Sequence, residues 1–272
     1  MKEFKHLPGL DLIRVFGILV VVFYHYQVET AVRGLCPADF LPAMEPLVQV
    51  AVYTMTLLSG SCLCWQEKSR SWSMKRYLWG RFLAIYPLFW LCFFPIFIYS
   101  DIICGNNEGV APWKLLLSIV GVDGYFQSFT PTFYKIGEWY LGCILFLYAV
   151  FPVLWRIIRR RGVVFAAVGA LFAWLACCFV ENPGQLYPTL IGQLPLFFMG
   201  SFLGGCLPSL WIPGILAGMT TLVLYGLGCP EYWIVTAASV GVFVMVFYLG
   251  QLLLFCGPFA ALPDVLSGFL SS

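Results

Sequence analysis

"DLIRVFGILVVVFYHYQ", residues 11–27, is apolar through its centre, yet carries Arg14 near one end and His25 near the other. The apolar run around it, residues 9–28, reaches about 30 Å as a helix, the depth of a bilayer's hydrocarbon core. It reads as a membrane span. A helix that only crosses a bilayer needs neither ionisable group, and lipid makes both costly. At about 100° per residue, the step from Arg14 to His25 ends roughly 20° past three full turns and about 16 Å further along the axis. Both therefore lie on one stripe, with Ile18 and Val21 or Val22 between them and Asp11 on the same face.

The rest of the chain has the same texture. Of its 272 residues, 61% are hydrophobic and 10% charged, and the mean hydropathy is +0.89. A soluble domain of this size must wet its own surface and does not carry so much apolar side chain. The expected fold class is all-α: a polytopic transmembrane bundle in a single domain over 1–272, because backbone in lipid must satisfy its own hydrogen bonds. Eight spans are expected, near residues 9–28, 45–64, 81–100, 137–158, 162–180, 187–206, 210–228 and 232–256. "MKEFKH" before the first run imitates a signal peptide. The run is too long for an h-region and lacks a small-residue cleavage site, so it counts as the first span.

The net charge of +2 says nothing about partners, but its distribution orients the chain. With a cytosolic N-terminus, the inner ends hold Lys2, Lys5, Arg14, Lys68, Arg70, Lys75, Arg76, Arg81, Arg156, Arg159, Arg160 and Arg161. The outer loops hold Arg33, Lys114 and Lys135. Twelve against three is a positive-inside bias, and "RIIRRR" (156–161) has that topogenic role as its plain reading.

Other chemistry is sparse. Eleven Cys are scattered through the spans and there are two His, so no metal spacing results and no metal is expected. Cys36, Cys104 and Cys229 fall in expected outer loops, which leaves one bridge open. Gly200 and Gly204 form a small-xxx-small pair, expected at a close helix contact. There is no nucleotide fingerprint and no Ser elbow, and no nucleic-acid partner is expected. The bilayer is the evident partner. In the outer loop 101–135, "PWKLLLSIVG" (112–121) reads as a short interfacial helix. "YFQSFTPTFYK" (125–135) reads as an aromatic belt, or as a platform for sugar rings.

Two further ionisable residues share depths with the opening pair. Arg81 starts the third span from the inside, level with Arg14. Glu138 starts the fourth from the outside, level with His25. The plain reading is that Arg14 snorkels to headgroups and His25 bonds a carbonyl. The functional reading has two tiers. Arginine suits phosphate through its bidentate fork. A neutral imidazole suits proton abstraction from a hydroxyl, with a carboxylate fixing its tautomer. At about 16 Å the two groups are too far apart to act on each other directly, so their shared stripe points to a long ligand.

The chain resembles the acyltransferase 3 family, membrane O-acyltransferases of surface polysaccharides. "LPGLDLIRVFGILVVVFYH" (7–25) matches the family's first span and its Arg-x10-His pair. "LLSGSCL" (57–63), with Ser59 and Gly60, "RFLAIYPLFW" (81–90), with Arg81, Tyr86 and Pro87, "GEWYLGCILFLYAVFPVL" (137–154), with Glu138, Trp139 and Leu141, and "LPLFFMGSFLG" (194–204) follow in family order. The family's second Arg, three before the Tyr-Pro proline, is Ala84 here, with Arg76 or Lys75 as nearby basic groups. The family has about ten spans. Ending at "ALPDVLSGFLSS" (261–272), the chain is expected to be a C-terminally truncated form.

The resemblance implies the reaction. An acyl group, most often acetyl, moves from cytosolic acyl-CoA, the donor substrate, to a hydroxyl of an extracytoplasmic carbohydrate or cell-surface glycan. The setting it implies is a bacterial plasma membrane. Arg14, Arg81 and Arg76 would hold the CoA phosphates. His25 would be the catalytic base, with Glu138 as its partner. Asp11, Ser59, Tyr86 and Trp139 fall to the substrates. Two other classes compete: a secondary transporter, which would more often show related halves and broken helices, and a non-catalytic membrane sensing module.

Overall fold

Pro8 opens the first helix, α1 (Pro8–Val32), where its fixed φ suits the first turn and its missing N–H costs nothing. The computed structural model describes residues 7–35, 41–68, 71–105, 109–126, 129–135, 138–179, 186–207 and 209–256. Further helices are α2 (Leu41–Lys68), α3 (Met74–Phe97), α4 (Leu115–Val120), α5 (Asp123–Phe126), α6 (Trp139–Arg161), α7 (Val164–Ala176), α8 (Leu190–Cys206), α9 (Trp211–Gly226) and α10 (Glu231–Cys256). Each of the eight expected runs is thus helical, and the short helix expected within 112–121 is α4 with a leading 3-10 turn at Pro112–Lys114.

Among the described residues, five helices are long and apolar enough to cross a membrane: Pro8–Val32, Leu41–Lys68, Met74–Ile103, Trp139–Arg161 and Glu231–Leu253. The helices α7, α8 and α9 are apolar but have 13, 17 and 16 residues. At 1.5 Å per residue, α7 reaches only about 20 Å. The apolar composition runs on past the helix ends. The 3-10 turn Cys177–Phe179, for example, takes over where α7 stops. Cys104 and Cys229 are free thiols, whereas Cys36, Arg70, Lys2, Lys5 and the segment 257–272 lie outside the described residues.

The chain divides into two compact units, one of α1, α2 and α7–α10, the other of α3–α6. In the first, α2 is the hub. Its Gly60 faces the Phe197 carbonyl on α8, and Gly200 and Gly204 of α8 face the carbonyls of Leu57 and Ser61 on α2. The Ser61 hydroxyl donates to the Gly200 carbonyl at 2.8 Å, and Thr56 donates to Gln193 Oε1 at 2.6 Å. In lipid, helices associate through such close packing and hydrogen bonds rather than through the hydrophobic effect. Gly9 of α1 packs on Phe247 and Gly250 of α10, and Gly17 on Met55 of α2. The Pro8 end of this unit also holds Lys68, whose ammonium donates to the Gly205 carbonyl at 2.6 Å. Leu210 N donates there to the Tyr248 hydroxyl at 2.8 Å.

A side chain at Gly200 would overlap the α2 backbone, which has no far end to swing away. Gly200→Val is therefore expected to destabilise the protein by about 1–3 kcal/mol, the usual cost of overpacking. Gly218→Ala on α9, where a new Cβ meets nothing within 4 Å, should stay within about 0.5 kcal/mol of the parent. Thermal unfolding in detergent measures both.

In the second unit α3 and α6 run antiparallel. The Tyr77 hydroxyl donates to the Tyr148 carbonyl at 2.7 Å, and the Tyr77 and Phe151 rings stack at 5.6 Å. Pro95 deprives α3 of an N–H near its end, and the helix runs on as a π turn, Ile98–Ile103, in which Cys104 N bonds the Tyr99 carbonyl at 3.0 Å. The segment between α3 and α6 folds back onto α3, where Phe133 meets Phe97 with ring centroids 5.3 Å apart. Gly121 takes the left-handed backbone (φ 78°) that ends α4, a conformation glycine adopts without strain.

Candidate functional site

On α1, Arg14 and His25 are both exposed, as are Ile18 and Val22 between them at 49% and 60%. Their stripe lies on a different flank from Gly9, Ile13 and Gly17, which are buried. Arg14 Nη1 donates to Asp11 Oδ1 at 2.9 Å, with both side chains about half exposed (50% and 46%). An ion pair so open to its surroundings contributes about 0–1 kcal/mol, so Arg14 is held in place without being used up. His25 has the Tyr24 ring edge-on at 5.8 Å. Ser59, on α2, donates its hydroxyl proton to the Met55 carbonyl of its own helix at 3.0 Å.

The second unit holds the remaining candidates. Arg81, on α3, stands with its guanidinium carbon 5.5 Å from the Tyr148 ring centroid on α6. Its Nε is buried without a hydrogen-bond partner among the described residues. No ion pair among the described residues involves it. Arg76 lies in the first turn of α3, where its backbone N–H reaches the Ser73 hydroxyl at 3.5 Å. Tyr86 donates its hydroxyl to the Val120 carbonyl at 3.0 Å, and Trp90 donates its indole N–H to the Ile119 carbonyl at 2.9 Å. Two side chains of α3 thereby satisfy carbonyls at the end of α4, which no intrahelical partner reaches. Tyr86 thus has a structural bond that the sequence did not suggest.

Glu138 is 2% exposed, and its Oε1 accepts the Lys135 backbone N–H at 3.2 Å. Glu138 stands immediately before Trp139, the first residue of α6, so this bond ties Lys135 to the start of the helix. Lys135 in turn places its ammonium 3.1 Å from Asp101 Oδ2, with that carboxylate only 3% exposed, and 3.4 Å from the Ser100 hydroxyl. The π turn carries both acceptors. Asp101 and Lys135 were not among the sequence candidates. The spacing of Lys135 and Glu138 was the available signal. Trp139 is half-buried, and its backbone packs directly on Gly124 of α5.

Beside Gly124, Asp123 is wholly buried. Burial pushes its carboxyl above the usual carboxylate range, against the Ser118 hydroxyl and the Gly124 N–H, which draw it down. Three carboxyls, Asp101, Asp123 and Glu138, are thus buried in the unit that carries Arg81, and one of them is matched by the Lys135 ammonium.

The structure brings together Arg14 with Asp11, Arg81 with Tyr148, and Glu138 with Lys135. The proposed tiers combine residues of both units, because Asp11, Arg14, His25 and Ser59 belong to the first and Arg76, Arg81, Tyr86, Glu138 and Trp139 to the second.

Comparison with known proteins matches this helical chain to one family. The model described as acyltransferase domain (Acyl_transf_3) covers residues 7–271. Acyltransferase MdmB of Streptomyces mycarofaciens is 26% identical over 191 residues, which cover 65% of this chain and 47% of that protein. The match thus spans about half the length of that curated relative. No solved structure matches. The expected resemblance holds over nearly the whole chain, and the chain belongs to the acyltransferase 3 family.

Proposed function

We propose that this chain moves an acyl group, acetyl in the simplest case, from cytosolic acyl-CoA to a hydroxyl of an extracytoplasmic glycan. It does so as a multi-pass protein of the plasma membrane with its N-terminus in the cytosol and eight spans. The observation that carries this reading is Arg81: a cation within a membrane-crossing helix, with a buried Nε that bonds nothing among the described residues. Charges in spans are costly unless they serve a ligand or a pathway. The guanidinium fork matches phosphate, and CoA carries several phosphate oxygens.

In this reading Arg81, Arg14 and Arg76 hold the phosphates, and the thioester reaches toward His25. The imidazole of His25 takes the proton of the acceptor hydroxyl. The oxygen attacks the thioester carbonyl, the C–S bond breaks, and the leaving thiolate takes up a proton as CoA thiol. Glu138 fixes the imidazole tautomer. Trp139 offers a half-buried ring to the sugar, and Asp11 sets the pose of Arg14. The hydroxyl protons of Ser59 and Tyr86 are committed to carbonyls, which leaves their lone pairs for a substrate.

The test is the full chain in proteoliposomes, given radiolabelled acetyl-CoA and a panel of glycan acceptors. Label should pass to an acceptor with equimolar release of CoA thiol. A chain that neither binds acetyl-CoA nor releases thiol with any acceptor would overturn the proposal.

A further inference from the structure

The first unit contains a cavity of about 600 Å³ between α7, α8, α9 and α10. Its walls are apolar, with Met199, Phe202, Leu216, Ala217, Ala237 and Val240 among them. Two hydroxyls on the wall are already spent: Thr220 donates to the Leu216 carbonyl at 2.8 Å and Thr236 to the Tyr232 carbonyl at 2.6 Å. A polar ligand would find little to bond, and water would need several polar partners to stay. The chemistry of these walls is that of a hydrocarbon site.

The shape narrows the occupant. Along α8 the lining runs from Pro195 to Cys206, which at 1.5 Å per residue is about 16 Å. One leaflet of a bilayer has a hydrocarbon depth of about 15 Å, half of about 30 Å. Trp174 stands at the end of the cavity away from Cys206, its ring edge-on to Trp233 at 4.9 Å. Cys206 and Ser209 mark the Pro8 end. There Lys68, an exposed cation, donates to the carbonyl of Gly205, the residue before Cys206, at 2.6 Å. An ammonium has three donors, so others remain for a phosphate.

We propose that this groove binds one bilayer phospholipid of anionic headgroup, with one acyl chain lying between α8 and α9 and its phosphate on Lys68. A leaflet-length apolar slot and a cation at the matching end are independent features, and together they describe a single lipid molecule. The bilayer supplies this lipid directly. The site needs no part of the acyl-transfer reading.

The test is native mass spectrometry of the full chain in mild detergent, with competition between phosphatidylglycerol and phosphatidylcholine of equal chain length. The wild type should keep one phosphatidylglycerol through steps that strip the detergent belt. Ala237→Phe fills the slot and should lower retention about tenfold or more, a shift of at least roughly 1.4 kcal/mol. Lys68→Gln, at an exposed position, should keep a lipid but lose the preference for phosphatidylglycerol. Leu222→Phe, on α9 and 74% exposed outside the slot, should change neither, and an unfolding midpoint near that of the wild type checks that Ala237→Phe is folded. Retention by Ala237→Phe equal to the wild type would overturn the proposal. So would a photo-crosslinker at position 199 that captures residues 257–272 in place of lipid.

Discussion

His25→Gln should lower the rate of acyl transfer by about 10²- to 10⁴-fold, the worth of a positioned general base. Donor affinity and the unfolding midpoint should remain at wild-type values. Glutamine keeps a hydrogen-bonding side chain of similar reach and cannot take a proton at neutral pH. The exposure of His25 on α1 makes the experiment clean. No packed wall collapses when the ring is replaced, so a loss of rate cannot be attributed to unfolding. Wild-type transfer by His25→Gln would make the residue structural and the mechanism wrong. Glu138→Gln separates the two roles of its carboxylate. The amide oxygen still accepts the Lys135 N–H, so the bond that ties Lys135 to the start of α6 survives. Any fall in rate then belongs to the lost charge, and residual activity is expected because the base itself remains.

The membrane-crossing helices were legible because hydropathy and length are local properties. Gly200 and Gly204 marked a close helix contact that the α2–α8 seam realises. Helix ends were less legible. α7 stops at Ala176 although its apolar composition continues, because the next residues turn into a 3-10 segment whose formation no hydropathy window senses. The stripe of Arg14 and His25 followed from helix geometry alone, since α1 is one unbroken helix past both. The partners in the second unit were hidden. Lys135 meets Asp101 within a π turn, 34 positions away in sequence, a pairing that neither hydropathy nor helical spacing marks. Tyr86 reads as a motif residue in sequence, yet its bond is to a carbonyl 34 positions away, a contact that exists only once the segment between α3 and α6 has folded back.

Arg81 should separate function from stability by the sign of the two effects. Its side chain is placed over Tyr148, with a buried Nε that bonds nothing among the described residues. A cation held this way loses solvation and recovers little of it from a ring, so the free protein is less stable than one with an apolar chain of similar length. Arg81→Met should therefore raise the unfolding midpoint of the ligand-free protein. The same substitution should weaken acyl-CoA binding by roughly 10- to 150-fold, the range for losing one hydrogen bond to a charged group. Arg81→Lys keeps the charge without the fork and should fall between wild type and Met in donor affinity. Adding acyl-CoA should raise the midpoint of the wild type and leave that of Arg81→Met nearly unmoved, because a ligand stabilises only the state it binds. Arg14→Ala should also weaken donor binding, and Asp11→Asn should weaken it less, because the amide oxygen can still accept the Arg14 hydrogen bond that sets its pose. A purely structural Arg81 gives the opposite pattern: Arg81→Met then lowers the midpoint through lost contact with Tyr148, and donor affinity stays where it was. Titration calorimetry and thermal unfolding on the same preparations decide between the two, and unchanged affinity in Arg81→Met removes the arginine from the donor site.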